Sequence, residues 1–161
     1  MRIWAVLVCV LVCCRSAPLP ADDATPFRLI AQGGILVPVS LNGTGPFQML
    51  LDTGANHSSI SEELAGALNA APVARALVST PAGDRERLVV QIDRFGVGPI
   101  SGAGTATAVP AEELLPAGDI AGVLGQDLLA GLRYTIDYED RRIIWNDRRA
   151  PGGHGTIAEL P

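Results

Sequence analysis

Cysteine occurs only at positions 9, 13 and 14, all within the first fifteen residues. With that stretch set aside the chain has no thiol, which excludes structural disulfides, thiol catalysis and thiolate metal sites. Lysine is missing altogether, so every basic residue is arginine. The two histidines, His57 and His154, are isolated and lack ligand spacing, which argues against a histidine-built metal site. Aromatic residues make up 4% of the chain, so the core has to be assembled from Val, Leu, Ile and Ala. Positive charge is scarce as well. Without Arg2 and Arg15, ten arginines face seventeen acidic residues, a net charge near −7 that speaks against a nucleic-acid partner.

Only one long apolar run is present, Ile3 to Cys14, preceded by Arg2 and closed by Arg15 and Pro18. It is short for a bilayer span and fits the apolar region of a secretory signal. Residues 1–24 are therefore expected to be a leader with its linker, which would place the mature chain outside the cytoplasm, periplasmic or secreted. Cys14-Arg15-Ser16 offers a small-x-small cleavage pattern, and Leu11-Val12-Cys13-Cys14 faintly resembles a lipoprotein box. A membrane partner is expected only if the leader is retained or Cys14 is lipidated.

Eighteen glycines and twelve prolines in 161 residues favour one domain of many short strands joined by turns over a helical bundle. Ala21 to Pro26 reads as a flexible lead-in and Arg28 to Ile30 as a first strand. Ile35 to Leu41 alternates, with Ile35, Val37, Val39 and Leu41 on one face, as a half-buried strand does. Asn42-Gly43 is a hairpin turn, read as extending through Thr44-Gly45-Pro46, after which Phe47 to Leu51 returns antiparallel. Ser61-Glu62-Glu63-Leu64 carries a helix start, with Ser61 as N-cap and acids in the first turn. Arg75 to Ile92 reads as a hairpin turning at Pro81-Ala82-Gly83-Asp84. Phe95 to Gly98 and Thr105 to Val109 read as two further short strands, and Pro110 to Leu115 as a helix of one or two turns. Gly122-Val123-Leu124-Gly125 frames an apolar pair with glycines, the mark of backbone packed closely on another segment. Asp127 to Ala130 is expected to be a short helix stopped by Gly131, and Leu132 to Trp145 a final hairpin. From residue 148 a flexible tail is expected.

Chemistry concentrates at Leu50-Leu51-Asp52-Thr53-Gly54-Ala55-Asn56. An apolar strand delivers a carboxylate to a tight glycine turn, a partly dry setting for an ionisable group. Alone, the same residues also fit a turn-capping aspartate. A Ca²⁺ loop over Asp52–Asn56 would lack oxygen ligands.

Taken with Val123-Leu124-Gly125-Gln126-Asp127 and a glycine-containing hairpin between them, this order of motifs resembles the retropepsin-like aspartic proteases, the single-lobed relatives of pepsin. The resemblance covers roughly Ile35 to Trp145. It implies an all-β fold: a closed, mostly antiparallel barrel with one or two short helices, one lobe per chain, here over residues 25–147. It implies an aspartic endopeptidase, with a peptide or protein substrate and no cofactor. Asp52 would be the catalytic carboxylate and Thr53 and Gly54 would support its loop. Ala55, Asn56, His57 and Gly83 of the hairpin would contact substrate. Because the chain carries one such motif, a two-carboxylate site requires a homodimer, with Thr53 bonding across it and Leu132 to Trp145 expected in the interface. Pepsin-like lobes place at position 55 a serine that donates to the catalytic carboxylate. Alanine cannot, so activity is expected at mildly rather than strongly acidic pH. Retroviral members pair an acid and an arginine where this chain has Asn56 and Gln126, so a neutral hydrogen bond between these two is expected. The reading from another class is a non-catalytic, extracytoplasmic peptide- or protein-binding domain of the same fold.

Overall fold

A computed structural model describes residues 23–31, 33–80, 83–114 and 120–145. The expected leader up to residue 22, the hairpin tip at Pro81-Ala82 and the expected tail lie outside the described residues. Among the described residues, no helix is long and apolar enough to cross a membrane.

The alternating segment forms β3 (Ile35–Leu41), with Ile35, Val37, Val39 and Leu41 all buried. It turns into β4 (Thr44–Leu51) through Asn42 and Gly43 alone. Both turn residues have positive φ, 49° and 80°, the geometry that suits the right-handed twist of paired strands. The turn therefore does not extend through Thr44-Gly45-Pro46; those residues already belong to β4. β5 (Ser59–Ser61) leads into α1 (Glu62–Ala67), and the Ser61 hydroxyl accepts the Leu64 amide at 3.1 Å as the expected N-cap.

β6 (Pro72–Thr80) and β7 (Gly83–Val97) form the long hairpin, in register from Thr80↔Gly83 down to Pro72↔Val90. The strands expected separately at 88–92 and 95–98 are one strand of 15 residues. A register shift between Ile92 and Phe95 bends it across Asp93-Arg94, which broke the alternation and hid its continuity. Likewise, Thr105 to Val109 is only the end of β8 (Ile100–Val109). Pro110 to Leu115 was expected as a short helix. Its observed helical part is a single 3-10 turn, Ala111–Glu113.

β9 (Gly122–Leu124) and α2 (Gln126–Leu129) follow, and Gly131 with φ 79° ends the helical segment. β10 (Tyr134–Asp137) and β11 (Arg142–Trp145) are the final hairpin. β1 (Ala24–Pro26) corrects the lead-in reading, since it pairs antiparallel with β11 and Thr25 is buried there. β2 (Arg28–Leu29) pairs with β3.

The main sheet has the order β2-β3-β4-β9-β5-β8-β7-β6, and β3 also pairs with β7 at Ser40↔Gly96 and Leu41↔Phe95. Strands β3, β4, β9, β5, β8 and β7 thus close on themselves into a barrel. Its pairs are antiparallel except β4–β9 and β5–β8. Closure gives each of these six strands a neighbour on both sides and buries one apolar core that includes Val37, Ile60, Ile92, Leu124 and Ile143. A smaller sheet, β1-β11-β10, lies beside it. Here Trp145 and Ile143, expected in a dimer interface, are buried within the chain itself. The Trp145 indole N–H donates to Thr25 Oγ1 at 2.7 Å. The hairpin β6–β7 is the part of the main sheet that leaves the barrel, and Val73, Leu77 and Leu88 on it are exposed.

Candidate active site

Strand β4 ends at Leu51 and places Asp52, half-buried, where the backbone leaves the sheet. The Asp52 amide still donates to the Leu124 carbonyl at 3.1 Å, which pins the start of the loop to β9. Its carboxylate Oδ1 accepts the Gly54 amide at 2.8 Å. A Cβ at position 54 would lie 3.2 Å from that oxygen, so glycine keeps the carboxylate's surroundings open.

The far side of the loop is held by the segment after β9. Gly125 packs so closely that a Cβ there would meet the His57 carbonyl carbon at 2.8 Å and the Ala55 oxygen at 3.0 Å. Gly122 is tighter still, with the Ser59 oxygen 2.1 Å from where its Cβ would stand. The glycine-framed pair at 122–125 therefore lies between β4 and β5 behind the Asp52 loop, with the close backbone packing that its glycines implied. The Gln126 amide N–H donates to the Ala55 oxygen at 2.8 Å, and its side chain donates to the Thr53 oxygen at 3.0 Å. This corrects the pairing expected between Asn56 and Gln126. The Gln126 side chain instead holds the backbone of the loop at the Thr53 carbonyl.

Two residues without an assigned role in the sequence carry the strongest part of this support. Ser58, fully buried, donates its amide to both carboxylate oxygens of Asp127 at 2.9 Å and its hydroxyl to Oδ1 at 2.7 Å. The same hydroxyl accepts the Gly125 amide at 2.9 Å, and Asp127 also accepts the Leu128 amide at 2.9 Å. The readable signal was an acid placed in the first turn of a helix, directly after the Gly125-Gln126 motif. Its partner on the loop was not readable.

Above the loop lies a cleft of about 980 Å³. Asp52, Gly54, Ala55, Asn56 and His57 line its floor. Ala76, Val78 and Arg85 of the hairpin line its roof. Thr53 lies in the loop beneath, while Gly83 stands at the end of the hairpin outside the cleft wall. The His57 side chain is 81% exposed, and its Nδ1 lies 3.9 Å from Asp127 Oδ2. Of the other acids at the cleft, Glu113 is ion-paired with Arg87 and Asp127 is occupied as above. Asp52 is thus the carboxylate whose second oxygen stays open to the cleft, a group able to accept a proton from water. Among the described residues there is no cluster of three or more metal-ligating side chains.

A family model described as aspartyl protease matches residues 37–128, from the first long strand through α2. Among solved structures, the chain is similar to a retropepsin-like aspartic protease from Rickettsia conorii. The identity is 15% and the TM-score 0.52, over 76% of this chain and 87% of that one. It is also similar to a foamy viral protease–reverse transcriptase solved with an RNA/DNA hybrid. That match has 19% identity and a TM-score of 0.45, over 58% of this chain and 11% of that one. No curated protein matches the chain. The fold is shared with the retropepsin-like structure, the matched span contains both Asp52-Thr53-Gly54 and the Gly125 motif that supports it, and the chain belongs to the aspartyl protease family.

Proposed function

We propose that this protein is an aspartic endopeptidase that hydrolyses peptide bonds as a homodimer, with water activated between two copies of Asp52. The observation that carries this reading is the inventory of acids at the cleft. Among the described residues at the cleft Asp52 alone is open, while Asp127 and Glu113 are already bound by donors of the same chain. With no second free carboxylate at the cleft among the described residues, we take it from a second chain, and an isologous pairing would set the two Asp52 loops face to face.

Two carboxylates a few ångströms apart cannot both ionise cheaply, so they share one proton. The charged one takes a proton from the water between them as that water attacks the scissile carbonyl carbon. The protonated one donates to the carbonyl oxygen, giving a tetrahedral diol. Collapse of the diol breaks the C–N bond as a proton passes to the leaving nitrogen. Thr53 would bond across the two-fold axis and keep the loops in register. The β6–β7 hairpin would lie over the bound chain and exclude water. With an apolar leader ahead of the domain, the site of action is extracytoplasmic, periplasmic or secreted.

The test is cleavage of a mixed peptide library by the full chain between mildly acid and neutral pH, beside Asp52→Asn. The expected result is cleavage that falls by about 100-fold or more in the variant, the scale of a lost general acid–base group. If Asp52→Asn binds peptides as the parent does and neither cleaves, the protein is a binding domain of this fold.

A further inference from the structure

The roof of the cleft has a charge that the proposed reaction does not use. On β7, side chains two apart share a face, so Arg85, Arg87 and Val89 point the same way. Arg85 and Val89 line the cleft, and the residues facing Arg85 and Arg87 across the hairpin, Val78 and Ala76, line it too. Arg87 is committed to Glu113 and is mostly buried. On the opposite face, Glu86 takes Arg75 at 3.1 Å and Asp84 takes the Ser79 hydroxyl at 2.7 Å. Arg85 is left over. Its guanidinium makes one hydrogen bond, to the Asp84 backbone oxygen at 3.0 Å, and has no carboxylate partner among the described residues.

We infer that this enzyme selects peptides carrying an acidic side chain, held by Arg85 from the roof of the cleft. The inference rests on the peptidase reading above and names the substrate class of that same site. A guanidinium presents parallel N–H donors that match a carboxylate, and the cleft-lining residues on its own face of the hairpin, Ala76, Val78 and Val89, offer no competing acceptor side chain. The neighbouring acids reinforce the choice, because Glu113 is neutralised by Arg87 and the Asp127 carboxylate is taken up by the Ser58 and Leu128 donors, which leaves Asp52 as the acid of the described cleft with an open oxygen. That group repels a second negative charge at the scissile bond. The acidic side chain therefore sits away from the floor, on the hairpin side, and not at the residues flanking the cut.

Peptide libraries varied over Glu, Gln and Lys at each position test this on the full-length protein. In the wild type one position is expected to show a Glu-over-Gln ratio of kcat/KM of about threefold to tenfold, the range of partly exposed charge pairs. That ratio should fall to about one in Arg85→Gln and turn toward Lys in Arg85→Glu, and it should shrink as salt is added. Equal kcat/KM for Glu and Gln at every position, or a ratio that survives Arg85→Gln, overturns the inference while leaving the peptidase reading intact. Absence of all cleavage overturns the peptidase reading instead. Titration of matched Glu and Gln peptides against the uncleaving protein then decides. Tighter binding of the Glu peptide, lost in Arg85→Gln, upholds the acidic preference, and equal binding ends it.

Discussion

Ser58 and Asp127, 69 residues apart, are joined by the Ser58 amide and hydroxyl, which both donate to the Asp127 carboxylate at 2.9 and 2.7 Å. Through this contact the end of the Asp52 loop is held by the helix that follows the Gly125 turn. Replacing Asp127 by Ala leaves the buried Ser58 amide without its acceptor. We expect a loss of about 1–3 kcal/mol in urea unfolding. The cost in peptide cleavage should exceed that of an equally destabilising core change, since the loop loosens at the site. A double-mutant cycle with Ser58→Ala should show strong coupling between the two losses.

Glycine at 122 is a matter of space, because a Cβ there would stand 2.1 Å from the Ser59 backbone oxygen. Backbone cannot step aside as a side-chain tip can, so Gly122→Ala should destabilise by about 3 kcal/mol or more. A thermal melt within a degree or two of the wild type would show that β9 is not threaded this closely.

The buried indole of Trp145 depends on one acceptor, Thr25 Oγ1. Thr25→Val keeps the shape and removes the acceptor. The expected cost is about 1–3 kcal/mol, that of a buried donor left unpaired. Tryptophan fluorescence followed through a urea titration would measure it and report any change of environment at β11. Thr25→Ser, which restores the acceptor, should recover most of the loss.

At the β10–β11 turn, the Asp140 amide and the Arg142 guanidinium donate to Asp137 and hold its carboxyl below the ordinary aspartate range. The Asp140 hydrogen bond is the larger cause. A pKa lower in the folded chain than in the unfolded one means stability that is present above the unfolded value and lost as pH falls through the folded one. Asp137→Asn should therefore lower the melting temperature at neutral pH. That difference should close on acidification below the ordinary aspartate range. A gap that stays constant down to strongly acid pH would assign the effect to something other than this ionisation.

Much of the site was legible before any coordinates, because the signals were local. Asp52-Thr53-Gly54 needs only a strand end and a turn, and the Ser61 cap needs only a hydroxyl three residues ahead of an amide. The alternation from Ile35 to Leu41 and the glycine frame of Val123-Leu124 likewise carry their reasons in neighbouring residues. What the chain determined by itself was thus most of its strands, the place of Asp52 at a strand end, and the need for close packing at Gly122 and Gly125. The tertiary structure decided what depended on residues far apart. It directed Gln126 to the Thr53 carbonyl and away from Asn56, gave Ser58 its partner, and ran β7 unbroken past the Asp93-Arg94 bend. It also put Trp145 inside the chain, because β1, read as a loose lead-in, supplies Thr25 as the acceptor for its indole. A hydrogen bond is satisfied by whichever group closure of the barrel brings within about 3 Å, and periodicity along the chain carries no record of that distance.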